Sequence, residues 1–233
     1  MTDAVPSTVR LMTWNIHGAL GRNKRFDLKR VVELIRRHAP DIVALQEIDS
    51  RRGGNADAFA VLQEACGGHG VGAKAISTAD GEYGQALISR WPMLTNKVCD
   101  ISYPEREPRR AIRCEIATPA GPLRVIATHL GLALGERRTQ ARALLDLIGE
   151  DAMTTVALGD FNDWFWVGSV RAVLARALPG RTRYPTFPAI CPVLRLDRIY
   201  CRPREALVRW RTDMTARRVS DHLPVIADVR VQP

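Results

Sequence analysis

Asp160 and Asn162, within Gly159-Asp160-Phe161-Asn162 directly after the apolar run Thr155-Val156-Ala157-Leu158, are the residues of this chain best suited to chemistry. A run of small and β-branched residues predicts a buried strand, and the glycine is expected where the backbone turns at its end. One carboxylate beside one carboxamide at a loop mouth suits phosphoryl chemistry. Asp can orient or deprotonate a water, while Asn donates hydrogen bonds to a phosphate oxygen as charge builds on it. For the tetrapeptide alone, an Asx turn closing a strand is the plain alternative. Its natural partner is Ser220-Asp221-His222 near the C-terminus, where a second carboxylate precedes an imidazole.

Three more polar groups follow expected strands: Asn15 after Trp14, Glu47 after Gln46 and His129 after Thr128. If those strands lie side by side, their ends converge on one rim. Asn15, Glu47, His129, Asp160, Asn162, Asp221 and His222 then share a pocket. A single polar strand end is common because loops start there, but several chemically compatible ones are not. His17 and His38 do not fit the set and read as ordinary surface or loop histidines.

The elements that must position these groups are legible as alternating patterns. Val9 to Trp14 reads as a first strand. Asp27 caps a helix built on Leu28, Val31, Val32, Leu34 and Ile35, which Pro40-Asp41 ends before the buried strand Ile42 to Leu45. A helix is expected from Asp57 to Cys66, then a glycine-rich turn through Gly67, Gly68, Gly70 and Gly72. Short strands follow at Ala86 to Ser89, Asn96 to Ile101, Ala111 to Ala117 and Leu123 to Ala127, with Pro119-Ala120-Gly121-Pro122 as a hairpin turn. Helices are expected over Glu136 to Ile148 and Val167 to Leu178, and strands at Thr154 to Leu158, Ile199-Tyr200, Leu207-Val208 and Val225 to Val231. The mixture predicts an α/β four-layer sandwich: two packed mixed β-sheets flanked by helices, in one domain over 9–233 after a tail of residues 1–8.

Composition bounds the partners. The chain of 233 residues carries a formal charge of +9, nearly all from arginine, since Lys24, Lys29, Lys74 and Lys97 are its only lysines. Guanidinium forks match phosphate oxygens, which points to nucleic acid, an anionic membrane surface or a phosphorylated substrate. No apolar run approaches the roughly 18 residues of a membrane span, and the polar start lacks the layout of a secretory signal. The expected location is therefore cytoplasmic, with peripheral contact to an anionic membrane. Cys66, Cys99, Cys114, Cys191 and Cys201 are odd in number and scattered, so buried reduced thiols are expected rather than disulfides or a zinc site.

The motif order is specific: Trp14-Asn15, Gln46-Glu47, Tyr83-Gly84 ahead of Ala86-Leu87-Ile88-Ser89-Arg90, Thr128-His129, Gly159-Asp160-Phe161-Asn162, Leu196-Asp197-Arg198-Ile199 and Ser220-Asp221-His222. This set resembles the endonuclease/exonuclease/phosphatase superfamily over nearly the whole chain. The resemblance implies a metal-dependent phosphodiester hydrolase in which water attacks phosphate. Glu47, Asn15 and Asp221 would serve the metal, Mg²⁺ or Mn²⁺. Asp160 would orient or deprotonate the attacking water, Asn162 would bind the phosphate, His129 would stabilise the phosphate or assist the leaving group, and His222 would be a phosphate contact or proton carrier oriented by Asp197. Arg109 and Arg137 are candidates for binding a substrate phosphate.

One departure bears on substrate. Abasic-site nucleases of the superfamily carry an aspartate two residues after the first-motif asparagine, where this chain has His17. With short loops between motifs, extensive base readout is not expected. The compact layout is similar to bacterial relatives of lipid-directed phosphodiesterases, including the soluble domain of GPI-anchor remodelling proteins. That similarity favours a phospholipid headgroup or other small phosphodiester, with Trp164-Phe165-Trp166 as a candidate aromatic lip. The alternatives are a Mg²⁺-dependent endonuclease or exonuclease acting on DNA, and a non-catalytic phosphate or nucleic-acid binding module.

Overall fold

The computed structural model describes residues 8–21, 25–52, 57–164 and 169–232. Its frame is two six-stranded sheets. The first contains β1 (Thr8–Asn15), β2 (Ile42–Asp49), β3 (His69–Thr78), β4 (Gly81–Ser89), β11 (Leu207–Thr212) and β12 (Val225–Arg230), in the order β11-β12-β1-β2-β4-β3. The second contains β5 (Met93–Asp100), β6 (Arg110–Thr118), β7 (Gly121–His129), β8 (Thr155–Asp160), β9 (Gly180–Arg181) and β10 (Asp197–Arg202), in the order β5-β6-β7-β8-β10-β9. Both sheets are mixed: β1 runs parallel to β2, β7 runs parallel to β8, and the remaining pairs are antiparallel. Helices α1 (Leu28–His38) and α2 (Ala58–Cys66) cover the first sheet, and α3 (Leu134–Ile148) and α4 (Ser169–Leu174) cover the second.

Strand alternation builds this layering. Side chains on successive residues leave a strand on opposite faces, so a strand buried on both faces is apolar throughout and serves two cores. Val156 and Leu158 of β8 join Leu11, Val225 and Ala227 in the core between the sheets, whereas Ala157 packs outward with Leu144 of α3 and Tyr200. On the first sheet, Met12 and Trp14 face outward onto Val31, Leu34 and Ile35 of α1. The Asp27 carboxylate caps that helix by accepting from the Arg30 amide at 3.1 Å, and Ala39 ends it in the left-handed conformation at φ 44°.

Several expectations are corrected. β1 begins at Thr8, inside the expected tail. Gly70 and Gly72 lie within β3 rather than a turn, and glycine there lets α2 press on the strand. A Cβ at Gly70 would stand 2.6 Å from Gln63 Oε1, and one at Gly72 would stand 3.3 Å from Phe59 Cδ1. Gly159 lies inside β8, where it permits a close approach instead of turning the chain. A Cβ on it would stand 1.9 Å from the Thr128 carbonyl oxygen of β7, and its φ of +151° disfavours any other residue. The helix expected over Val167 to Leu178 is α4, Ser169–Leu174, and its first expected residues lie outside the described ones. Of the cysteines, which are all free, Cys114 and Cys201 are buried but Cys191 is exposed.

Candidate active site

The polar strand ends do meet, but across the sandwich and not along one sheet. Asn15 and Glu47 come from the first sheet, and His129, Asp160 and Asp197 from the second. Gln46-Glu47 does not terminate its strand. The two residues face the single Gln85 of β4 as a β-bulge, and Glu47 adopts φ 56°. A bulge re-aims a side chain, which explains how Glu47 reaches the site from within a strand. His17 and Asn162, at φ 49° and 50°, are also left-handed. Three strained non-glycine residues in one small region are what a site held by its surroundings stores.

Asn15 lies at the centre of the hydrogen bonding. Its Nδ2 donates to Glu47 Oε1 at 2.8 Å and to Asp160 Oδ2 at 3.0 Å, while its Oδ1 accepts from the His17 amide at 3.0 Å. The side chain therefore clamps two carboxylates together instead of presenting its oxygen to a metal. Asp160 is buried, and its Oδ1 accepts from the Asn162 amide at 3.0 Å. Burial, reinforced by the neighbouring Asp197 charge, pushes the Asp160 carboxyl up to about 6 against the opposing pull of His222. For Glu47 burial again favours the neutral form. Here the hydrogen bond from His17, the nearby His129 and the Asn15 amide outweigh it and hold the carboxyl at about 2.

The two most deeply buried histidines of the candidate site are driven apart. Arg109 Nη1, which can only donate, lies 2.9 Å from His129 Nδ1, so the ring carries its proton on Nε2. Burial and the Arg109 charge then push His129 down to about 3, and it is neutral. His222 Nδ1 donates to Asp197 Oδ2 at 2.8 Å. Burial opposes its charge most strongly, but Asp197 and Asp160 together raise the imidazole to about 10. Trp14 Nε1 donates to the His222 carbonyl at 3.0 Å, and Ser220 Oγ donates to the Asn15 carbonyl at 2.7 Å, tying this loop to β1.

His17 corrects the sequence expectation most clearly. Its Nδ1 stands 3.5 Å from Glu47 Oε2 and 3.5 Å from Asp221 Oδ1, so the ring sits between two carboxylates at the site mouth. The hydrogen bond to Glu47 leads the causes that raise its pKa, against burial. The signal was its position two residues after Asn15, within the first motif. His38 does lie elsewhere, paired with Asp213 at 2.9 Å.

The two arginines expected at a substrate phosphate are placed differently. Arg109 is only 7% exposed, and its Nη1 contacts both His129 Nδ1 at 2.9 Å and Glu107 Oε1 at 3.2 Å. Arg137 is fully buried. It donates to the Leu132 carbonyl and stacks its guanidinium 4.5 Å from the Trp164 ring centroid. Asn162 spends one amide hydrogen on the Leu130 carbonyl at 2.8 Å. Of the expected aromatic lip, Trp164 is half-buried, and Phe165 and Trp166 lie outside the described residues.

The donor set fits a hard divalent cation. It is rich in carboxylate oxygen, and Asp197 Oδ1 is buried without a hydrogen-bond partner among the described residues. Asp160, Asp197 and His222 bring ligand atoms within 4.8 Å of one another and form a candidate metal cluster. A protonated imidazole cannot ligate, so His222 is a poor member of that group. Glu47 and Asp221, whose carboxylate oxygens flank His17 at the mouth, offer the better oxygen pair.

The sequence profile of the Endonuclease/Exonuclease/phosphatase family matches residues 12–222, and the chain belongs to this family. Its members are hydrolases of phosphoester bonds and use divalent metals. The uncharacterized protein YbhP of Escherichia coli is 29% identical over 247 residues, covering 95% of this chain and 96% of that protein. Among solved structures, an endonuclease/exonuclease/phosphatase from Beutenbergia cavernae superposes with TM-score 0.78 at 23% identity, over 97% of this chain and 72% of its own. A family protein from Leptotrichia buccalis gives TM-score 0.76 at 15% identity, over 95% and 99%. Among the described residues no helix is long and apolar enough to cross a membrane.

Proposed function

We propose that this protein is a metal-dependent phosphodiester hydrolase in which Asp160 activates the attacking water. The observation that carries this is geometric: Asn15 clamps the buried Asp160 beside Glu47, while Arg109 and Asp197 fix His129 and His222 around it, and these surroundings push Asp160 up, His129 down and His222 up. Groups pushed apart in this way have distinct roles assigned by their surroundings.

Glu47 and Asp221, with His17 between them, would hold Mg²⁺ or Mn²⁺, which when bound supplies charge neutralisation at the phosphate and a more acidic water. Asp160, fixed by Asn15 and the Asn162 amide, takes the proton from water once the pH exceeds its pKa. His222 keeps Nε2–H for a phosphate oxygen because Nδ1 is committed to Asp197. At a pKa of about 10 it acts as a fixed positive charge rather than a ready proton donor. His129 donates Nε2–H as a neutral ring, and Asn162 adds its remaining amide hydrogen.

Asp160→Asn keeps the shape and one of the two accepted hydrogen bonds but removes the base. Turnover of bis(p-nitrophenyl) phosphate is expected to fall about 10²- to 10⁴-fold with an unchanged circular dichroism spectrum. Wild-type turnover in that variant would falsify the role. The substrate is a phosphodiester of a phospholipid headgroup or of nucleic acid. The phospholipid version rests on net charge and on the compact layout similar to lipid-directed relatives, whereas a cleft lined by Arg171, Arg181, Arg183, Arg195 and Arg198 favours the nuclease version. A non-catalytic module is disfavoured by the complete hydrogen-bonded set around Asp160.

A further inference from the structure

His17 has no part in water activation or phosphate binding, yet the chain fixes its ring at the site mouth in an unfavourable backbone. His17, Gly18 and Ala19 are all left-handed, at φ 49°, 62° and 55°. Histidine and alanine hold that conformation only where their surroundings over-determine it.

Those surroundings are hydrogen bonds. The His17 amide donates to Asn15 Oδ1 at 3.0 Å, the Leu20 amide to the His17 carbonyl at 3.1 Å, and the Asp27 amide to the Ala19 carbonyl at 2.9 Å. The same turn is tied to both elements that carry the mouth carboxylates. The Ile16 amide donates to the carbonyl of Gln46, next to Glu47, at 3.1 Å, and Oγ of Ser220, next to Asp221, donates to the Asn15 carbonyl at 2.7 Å. From the far side, the Ala189 amide donates to the Asp221 carbonyl at 2.7 Å. His17, Glu47 and Asp221 come from three remote parts of the chain, and short bonds hold them in register.

The atoms so placed suit a cation. Nδ1 stands 3.5 Å from Glu47 Oε2 and 3.5 Å from Asp221 Oδ1. Charge-assisted hydrogen bonds are shorter, about 2.7–2.9 Å, so neither oxygen takes the ring for itself. Ligand atoms about 2.0–2.2 Å from one tetrahedral ion stand about 3.4 Å apart, close to the spacing observed. The His17 and Asp221 side chains are 46% and 44% exposed, which leaves an ion a path from solvent and lets the carboxylate rotate onto it.

We infer that His17 is a nitrogen ligand of the divalent cation, alongside Glu47 and Asp221, and that it sets the site's preference for later transition metals such as Co²⁺ and Zn²⁺ over Mg²⁺. The inference rests on the metal-dependent reading above. Mg²⁺ takes oxygen ligands and keeps its waters, whereas imidazole suits the later metals, so one ring nitrogen strengthens the two classes unequally.

The test compares Co²⁺ and Mg²⁺ binding by isothermal titration calorimetry in the full chain, stripped of metal by chelation, and in His17→Asn. Asparagine accepts the left-handed backbone and replaces the ring nitrogen with a carboxamide oxygen. Co²⁺ affinity is expected to fall at least about tenfold, with Mg²⁺ affinity held within about threefold. In the wild type, one equivalent of Zn²⁺ should shift the ¹⁵N signal of His17 Nδ1, a readout that does not depend on the variant folding. An equal loss for both metals, no loss for Co²⁺, or a Zn²⁺-insensitive Nδ1 overturns the inference. So does tighter binding of both metals in the variant, which would make the ring an opponent of the cation. Co²⁺ binding that is lost in Glu47→Gln but kept in His17→Asn removes the ligand role and leaves the hydrolase reading intact. Full turnover of bis(p-nitrophenyl) phosphate by the chelated wild type would instead sink the metal-dependent reading itself.

Discussion

At the scale of single residues, the site works by assigning different charges to similar groups. His129 and His222 are both buried imidazoles, yet one is bonded to a guanidinium, which adds to the effect of burial, and the other to a carboxylate, which opposes it. In the metal-free protein, ¹⁵N ring shifts should show His129 neutral and His222 cationic throughout pH 5 to 8, between their values of about 3 and about 10. Arg109→Gln removes the charge that depresses His129, so a titration of that ring should move up toward the ordinary imidazole range. A flat His129 signal in the variant would show that burial alone sets its state. His17 belongs to the same scale. Apart from its position two residues after Asn15, its sequence reads as that of a loop histidine, because the carboxylates that flank it come from Glu47 and Asp221, distant in the chain.

At the scale of elements, the active geometry depends on how closely β7 and β8 approach. Gly159 sits opposite Thr128, and His129 sits opposite Asp160, so the spacing of one pair sets the other. Gly159→Ala puts a methyl group into the Thr128 carbonyl oxygen and forces a left-handed φ. Its expected destabilisation is about 3 kcal/mol, read from urea unfolding, with loss of turnover. A stable and active alanine variant would mean that the strands can part without cost. The apolar run before Asp160 made β8 legible. It could not reveal that Gly159 serves a neighbouring strand, since that neighbour is unknown until the sheet is assembled. For the same reason β3 was hidden behind its glycines, which look like turn formers until α2 is seen against them.

At the scale of the whole molecule, buried charges link the site to stability. His222 has a folded pKa near 10, above its ordinary 6.5, so its stabilising contribution is complete below 6.5 and is lost as pH rises through 10. Asp160, raised from 3.8 to about 6, adds a loss confined to the lower window between those values. The melting temperature of the metal-free protein should therefore decline between pH 6.5 and 10, and Asp197→Asn should remove most of that slope. An equal slope in the variant would place its origin elsewhere. A divalent cation binding only the folded chain adds about 2.7 kcal/mol at about a hundredfold excess over its Kd. Mn²⁺ should thus raise the melting temperature of the wild type, and Glu47→Gln should abolish the rise. A persisting rise would move the cation toward the Asp160, Asp197 and His222 cluster.

The chain's local patterns determined its class. Two-sided apolar strands demand a layered sandwich, and short motifs such as Gly159-Asp160-Phe161-Asn162 and Ser220-Asp221-His222 carry their chemistry in residue type and order, which no packing can alter. What each side chain does was decided by the tertiary structure. Arg109 and Arg137 look alike in the sequence as phosphate ligands, yet one fixes a histidine tautomer and the other lies sealed beside Trp164. Glu47 reaches the site only because a bulge turns it there, and the arginines of the cleft are gathered from α4, β9, β10 and the loops between. Ionisation and orientation depend on distance and burial, and both exist only once segments remote in the chain have been brought into contact.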